Sequence, residues 1–156
     1  MRTTVIVLIA LFVAATSHAR LGETNVQICN RYGPVQKRVE DGTNEWHAGY
    51  LFKDYVIVVS YTNNVSQCEL VSRTDRAHFS DEERDALMKN IGGAGNWKMA
   101  WTGADFQTWT NSASAALARE VKGTDGSDML TVMTADFAVR DELARQKKEK
   151  AKADGF

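Results

Sequence analysis

The sequence predicts an α+β fold, in which helices pack on an antiparallel meander sheet and a charged helix forms the C-terminal end. Three observations support this fold class. Capping motifs begin two helical segments, short segments rich in β-branched and aromatic residues follow one another with tight turns, and the final segment is rich in Ala, Lys, Arg and Glu. The 156 residues, 44% of them hydrophobic and 25% charged, have the length and composition of one globular domain.

Two helices are predicted from their capping motifs. In the first, over residues 25–32, Thr24 and Gln27 form a Thr-x-x-Gln capping box, and a Gly-Pro pair ends the segment. In the second, Ser80 and Glu83 form a Ser-x-x-Glu capping box, and acidic residues fill the first turn, where the helix dipole favours negative charge.

Three strands are predicted between these helices. The segments EWHAGYLF from Glu45, YVIVVSYT from Tyr55 and CELVSR from Cys68 alternate in polarity or are rich in β-branched and aromatic residues. Their short spacing predicts an antiparallel meander. The preceding residues 35–44 are polar and include an Asp-Gly pair, so we expect them to form a connection.

The glycine-rich stretch IGGAGNWK, residues 91–98, has the composition of a phosphate-binding loop. Such a loop precedes a helix, so that the N-terminal amides point at the anion, whereas this stretch follows one. Gly92 and Gly93 are therefore predicted to end the second helix, because glycine adopts the left-handed conformation at low cost. We do not expect this loop to bind an anion.

The second half of the chain is predicted to contain further strands and a final helix. The segment WKMAWT predicts a strand. Residues 113–121 fit either a strand or a helix, and a β-hairpin across Gly123–Asp128 is favoured because a turn-rich stretch separates them from the strand-like MLTVMT. Residues 136–154 predict a solvated helix.

Residues 1–19 have the pattern of a secretory signal peptide. A positively charged start is followed by an unbroken apolar run over residues 5–15 and by small residues at Ser17 and Ala19. Eleven apolar residues rise only about 16 Å as a helix, which is too short for a bilayer core of about 30 Å, and no later segment is apolar enough to span. We therefore expect cleavage after Ala19 and export to the periplasm or secretion.

The rest of the chain is predicted to be a single α+β domain over residues 20–135, followed by a charged helix or tail over residues 136–156. Lys and Arg number 19 and Asp and Glu number 20, giving a net charge of -1. Nothing in this balance favours binding to nucleic acid. The sequence leaves the oligomeric state open.

The chain has two cysteines, Cys29 and Cys68. In an oxidising compartment two cysteines are consistent with one disulfide. The alternative is two buried free thiols, since unpaired cysteine is among the most buried residue types. The sequence leaves both alternatives open, because it does not test the geometry of a bridge.

Trp97, Trp101 and Trp109 are the candidate ligand-binding residues. Trp97, Met99 and Trp101 alternate, which predicts that they share one face of a strand. Aromatic rings in such a cluster can stack on a sugar or another flat ligand, but they more often belong to a core. We expect Trp97 and Trp101 in the core and leave Trp109 open.

The sequence contains no recognisable catalytic set. The motifs Gly-x-Ser-x-Gly, His-Glu-x-x-His and Cys-x-x-Cys are absent. His47 and His78 lie in different predicted elements, and nothing in their spacing selects a metal or a catalytic partner. We therefore expect no catalytic residues, no metal ligands and no cofactor.

A resemblance to small exported bacterial proteins of uncharacterised function spans most of the chain. It rests on residues 22–24, 31–34, 80–83 and 90–93 and on Trp97, with an aromatic-rich hairpin between the helices. The first half is similar to the SmpA/OmlA module, whose members are lipoproteins that support outer-membrane protein assembly. The resemblance implies helices on a strand meander, although this chain has no lipid-bearing cysteine and only one helix before the meander.

Three functions are consistent with these observations. The first is an exported, non-catalytic protein that binds another envelope or extracellular protein. The second is a small-ligand or glycan binder that uses Trp97, Trp101 and Trp109. The third is a hydrolase that uses His47 or His78 with a carboxylate.

Overall fold

The computed structural model describes residues 20–42, 44–123 and 126–153. The predicted signal peptide over residues 1–19 lies outside the described residues, as do the last residues of the predicted tail, 154–156. The elements follow in this order: α1 (Asn25–Tyr32), β1 (Lys37–Glu40), β2 (Glu45–Phe52), β3 (Tyr55–Thr62), β4 (Val65–Arg73), α2 (Asp81–Gly92), β5 (Lys98–Thr102), β6 (Phe106–Asn111), β7 (Ala116–Lys122), β8 (Asp128–Thr134) and α3 (Ala135–Ala153).

The strands form one antiparallel sheet of eight strands in the order β1-β2-β3-β4-β8-β7-β6-β5. The chain runs twice through the same sequence of elements, one helix followed by a four-stranded meander. The last strand of the first meander, β4, pairs with the last strand of the second meander, β8. This pairing joins the two halves of the sheet. The predicted fold class is confirmed, with helices packed on an antiparallel meander sheet and a charged helix at the C-terminal end.

Helices α1 and α2 cover one face of the sheet, which we call the inner face. Ile28 of α1 and Met88 and Ile91 of α2 are buried in the same cluster as the alternate residues of the central strands. Those strand residues include Trp46, Ala48, Tyr50, Ile57, Val59, Tyr61, Val71, Leu130 and Val132. The inner face therefore holds the hydrophobic core, and the opposite face is the outer face.

Both predicted capping boxes are present. Gln27 accepts a hydrogen bond from the Thr24 backbone N–H at 2.9 Å, and the Ser80 hydroxyl accepts one from the Glu83 backbone N–H at 3.1 Å. Gly93 follows α2 with a φ of 97°, in the left-handed region that favours glycine. The glycine-rich stretch therefore ends a helix, as predicted.

Two strands differ from the sequence-based expectation. Residues 37–40 form β1, where we expected a polar connection, and residues 106–111 form β6, for which the sequence analysis predicted no strand. All four residues of β1 are exposed at the sheet edge, so neither face imposes an alternation of polarity. The predicted hairpin is confirmed by the antiparallel pairing of β7 with β8, although residues 124 and 125 of its turn lie outside the described residues. Of the ambiguous residues 113–121, residues 116–121 form part of strand β7, whereas residues 113–115 form a turn.

Helix α3 lies on the outer face beside β7 and β8. Arg140 donates hydrogen bonds to the Glu45 carboxylate at 2.8 Å and to the Thr62 hydroxyl at 3.2 Å. Helix α3 has no buried residue. It covers only part of the outer face. No helix among the described residues is both long enough and apolar enough to cross a membrane.

Candidate functional site

A row of directly paired residues crosses the outer face of the sheet. Residues that face each other in antiparallel strands project to the same side, so the pairing identifies the row. We call it the apolar row, and it consists of Leu51, Val56, Ser72, Met129, Val121 and Phe106. Ser72 is its only polar member.

The apolar row is open to solvent beyond α3. Leu51 is 56% exposed and Met129 is 39% exposed, and Val56 is exposed as well. At the end of the row Trp101 packs edge-on against Phe106, with 5.4 Å between the ring centroids. With Trp101 the surface extends from β2 to β5, which is roughly 29 Å at the usual strand spacing.

A second row beside the apolar row adds to the same surface. Val58 pairs with Leu70, Leu70 with Thr131 and Thr131 with Arg119. Arg119 is exposed, and its guanidinium carbon lies 5.9 Å from the centroid of the Phe106 ring. Together the two rows present mainly aliphatic and aromatic groups, with Ser72, Thr131 and Arg119 among their polar members.

Trp101 does not occupy the core position that its spacing predicted. Met99 pairs with Trp109, whereas Trp101 pairs with Thr108, so Ala100 is an extra residue in a β-bulge. The bulge places Met99 and Trp101 on opposite faces, and Trp101 is 49% exposed. The expectation of a core position for Trp101 is therefore wrong.

Trp97 and Trp109 lie together in a cleft between α2 and the β5–β6 hairpin. Trp109 is 5% exposed and Trp97 is half-buried. The cleft has a volume of about 420 Å³, which lies in the range of small-ligand sites. It is lined by Arg84, Asp85, Met88, Lys89, Gly95, Asn96, Trp97, Met99 and Trp109. We call it the tryptophan cleft. It unites two of the three predicted ligand-binding residues.

The ring positions in the tryptophan cleft are set by close packing. The Trp97 indole N–H donates a hydrogen bond to the Gly93 carbonyl at 3.3 Å. A side chain at Gly92 would collide with the Trp97 ring, so this glycine is needed for the close approach. The Arg84 guanidinium carbon lies 4.8 Å from the centroid of the Trp109 ring.

A buried ionic network lies between α1 and β4. Glu69 is 0% exposed, and its carboxylate accepts hydrogen bonds from the Tyr32 hydroxyl at 2.6 Å and from Arg31 at 3.3 Å. Arg31 also contacts Glu23. Burial raises the pKa of Glu69, and the Arg31 charge and the Tyr32 hydrogen bond oppose this effect.

The second half contains a similar pair, formed by Arg84 of α2 and the buried Glu120 of β7. Their charged atoms are 3.7 Å apart, and burial raises the pKa of Glu120. Sequence analysis did not identify either buried glutamate. The only sequence signal is an acidic residue inside a strand-like segment, and this also occurs on exposed strand faces.

His47 and His78 have different partners. His47 on the outer face is 2.9 Å from the Ser60 hydroxyl, and His78 before α2 is 2.8 Å from the Asp128 carboxylate. Asp128 also accepts a hydrogen bond from the Phe79 backbone N–H at 3.0 Å. Within residues 20–42, 44–123 and 126–153, no group of three or more His, Cys, Asp or Glu side chains could hold a metal ion.

Cys29 and Cys68 are both free thiols. Cys29 is on α1, on the inner side of the sheet, and its thiol donates to the Asn25 side chain at 3.5 Å. Cys68 pairs with Ser60 and Met133 and therefore faces the outer side, where burial raises its pKa to about 12. The sheet separates the two thiols, so the structure contains no bridge between them.

Fold and site together define an α+β protein with an open apolar sheet face. No protein-family model and no curated protein matches the chain. Among solved structures, the chain is similar to a cysteine-rich secretory protein from Staphylococcus aureus subsp. aureus Mu50, with 7% sequence identity and a TM-score of 0.47. The match covers 76% of this chain and 46% of that chain, so it spans about half the length of the staphylococcal protein.

Proposed function

We propose that this is an exported, non-catalytic protein that binds another envelope or extracellular protein through the outer face of its sheet. The observation that carries the proposal is the apolar row from Leu51 to Phe106, in which Leu51, Val56 and Met129 are exposed, and which the exposed Trp101 extends. Contiguous exposed apolar surface of this kind is typical of protein-interaction sites.

The residue types of the outer face support a protein partner. Energetically dominant interface residues are enriched in Trp, Tyr and Arg, and interface centres are depleted of charge. Trp101 and Arg119 lie at one end of the surface, while aliphatic side chains form its middle. Since α1 and α2 cover the inner face and α3 covers only part of the outer face, the rest of the outer face is the open side of the sheet among the described residues.

Export rests on the pattern of residues 1–19, and we propose it together with the binding function. Mass spectrometry of the native protein tests this part: we expect a chain that begins at Arg20, and intact Met1 on a cytosolic protein would exclude export.

Affinity capture from the protein's own envelope fraction tests the binding surface. We expect the wild-type chain to capture a partner and the Met129→Lys chain to lose it. A charge that is desolvated in the centre of an apolar interface lowers the binding free energy by about 2 kcal/mol or more. Val26→Lys is the matched control, because Val26 is 66% exposed but lies on α1.

Two results would contradict the proposal. Capture that is equally strong with wild type, Met129→Lys and Val26→Lys would show that the outer face is not the binding surface. Sedimentation of the purified wild-type chain as a dimer, with Met129→Lys as a monomer, would assign the face to a second copy of the chain rather than to another protein.

A further inference from the structure

We infer that the tryptophan cleft is a second binding site and that it takes a neutral saccharide. This inference goes beyond the proposed protein-binding function and does not depend on it. The cleft opens beside α2 on the inner side of the sheet, whereas the apolar row lies on the outer side. The two surfaces can therefore be tested separately.

The side chains of the cleft match the two kinds of surface that a sugar ring presents. The ring of a pyranose has an apolar C–H face, which packs on aromatic rings, and a rim of hydroxyl groups, which need donors and acceptors. Trp97 supplies the aromatic surface. Asp85, Lys89 and Asn96 line the same cleft and supply acceptors and donors at its edge.

The charges of the cleft favour a neutral ligand. Arg84 donates hydrogen bonds to the Asp81 carboxylate at 2.8 Å and to the Asp85 carboxylate at 3.3 Å, and it lies near the buried Glu120. The two terminal nitrogens of the guanidinium are therefore already paired with carboxylates, although its Nε–H is buried without a partner among the described residues. The surrounding carboxylates offset the charge of Arg84, so the cleft does not favour an anionic group. The exposed Lys89 balances part of the remaining negative charge.

The loop that carries Asn96 is held in place by the sheet. The side chain of the buried Asn111 donates a hydrogen bond to the Gly93 carbonyl at 3.3 Å. A Cβ at Gly95 would lie 2.6 Å from the Asn111 side-chain oxygen, so the loop packs directly on this residue. A wall that is fixed before binding loses little conformational freedom when a ligand arrives, which favours binding of a small molecule.

Nuclear magnetic resonance of the purified chain tests the inference through the indole N–H signal of Trp97. The probes are N-acetyl-D-glucosamine, methyl α-D-glucopyranoside, methyl α-D-mannopyranoside, methyl β-D-galactopyranoside and maltose, with sorbitol as an acyclic polyol and glucuronate as an anionic sugar. We expect a saturable shift with at least one of the five neutral sugars, with Kd on the order of 1 mM, and no saturable shift with sorbitol or glucuronate.

Matched asparagine variants separate binding from folding. Asn96→Ala removes a polar group at the cleft edge, and we expect it to weaken sugar binding about tenfold. Asn30→Ala changes an exposed asparagine of α1, away from the cleft, and should bind as wild type does. The inference is overturned if none of the five neutral sugars gives a saturable shift, if sorbitol or glucuronate gives the same shift, or if Asn96→Ala binds as tightly as Asn30→Ala.

Discussion

At the scale of single residues, Ala100 decides the environments of the neighbouring aromatic side chains. As the extra residue of a β-bulge, it shifts the register of β5 against β6 between Met99 and Trp101. Trp101 is thereby turned to the outer face, where it extends the apolar row. Trp109 stays on the inner face, where it is buried against α2.

The difference between these two tryptophans predicts that truncation has a large effect on stability at Trp109 and a small one at Trp101. Trp109→Ala removes a buried ring and should lower the free energy of unfolding by about 3–5 kcal/mol. Trp101→Ala removes a ring that is half exposed at an edge strand and should change it by about 1 kcal/mol or less. Urea denaturation monitored by circular dichroism measures both values. Equal losses in the two variants would contradict the assignment of the faces.

At the scale of elements, the helices could be predicted from the sequence and two of the strands could not. A capping box is a local signal, because Ser80 and Glu83 are only three residues apart and bond to each other's backbone. An edge strand such as β1 has no buried face and therefore no alternation. The hairpin of β7 and β8 could be predicted because its turn-rich connection is also local.

The cap of α2 gives a prediction at this scale. Ser80→Ala removes the hydroxyl that accepts the hydrogen bond from the Glu83 backbone N–H, and should lower the free energy of unfolding by about 1 kcal/mol. The control is Ser112→Ala, which changes an exposed serine in the turn between β6 and β7. Thermal unfolding of both variants measures the effect. A loss that is the same in the two variants would argue against a role for the cap in stability.

At the scale of the whole molecule, the candidate binding surface depends on how the two halves of the chain meet. The apolar row crosses from one half to the other where Ser72 of β4 faces Met129 of β8. No local pattern in the sequence predicts this pairing, because it brings together residues that are far apart along the chain. The sequence therefore did not identify the row. The predicted shared face of Met99 and Trp101 is wrong for a different reason, which is the bulge at Ala100.

The two halves also share a way of burying charge, in which an arginine of the helix reaches a glutamate of the sheet. Arg31 lies 3.3 Å from Glu69, and Arg84 lies 3.7 Å from Glu120. In both glutamates burial is the largest effect, and it raises the pKa. The folded protein therefore holds a proton on these groups at pH values where the unfolded chain has released it.

This difference predicts how Glu69 makes the stability of the molecule depend on pH. The ordinary pKa of the group is 4.5 and its folded value is higher. From pH 4.5 up to the folded pKa, the native state binds more protons than the unfolded state, so the free energy of unfolding falls as the pH rises. The contribution of one such group reaches about 1.4 kcal/mol per pH unit within this window.

Replacing Glu69 by glutamine should remove this contribution while retaining an acceptor for the Tyr32 hydroxyl. Urea denaturation from pH 4.5 upward should therefore show a free energy of unfolding that falls less steeply with pH in Glu69→Gln than in wild type. The comparison isolates Glu69 from the other titrating groups, which both proteins share. Glu149→Gln, which changes an exposed glutamate of α3, should follow the wild-type curve. If Glu69→Gln and wild type fall with the same slope, the Glu69 carboxyl does not hold its proton more tightly in the folded protein.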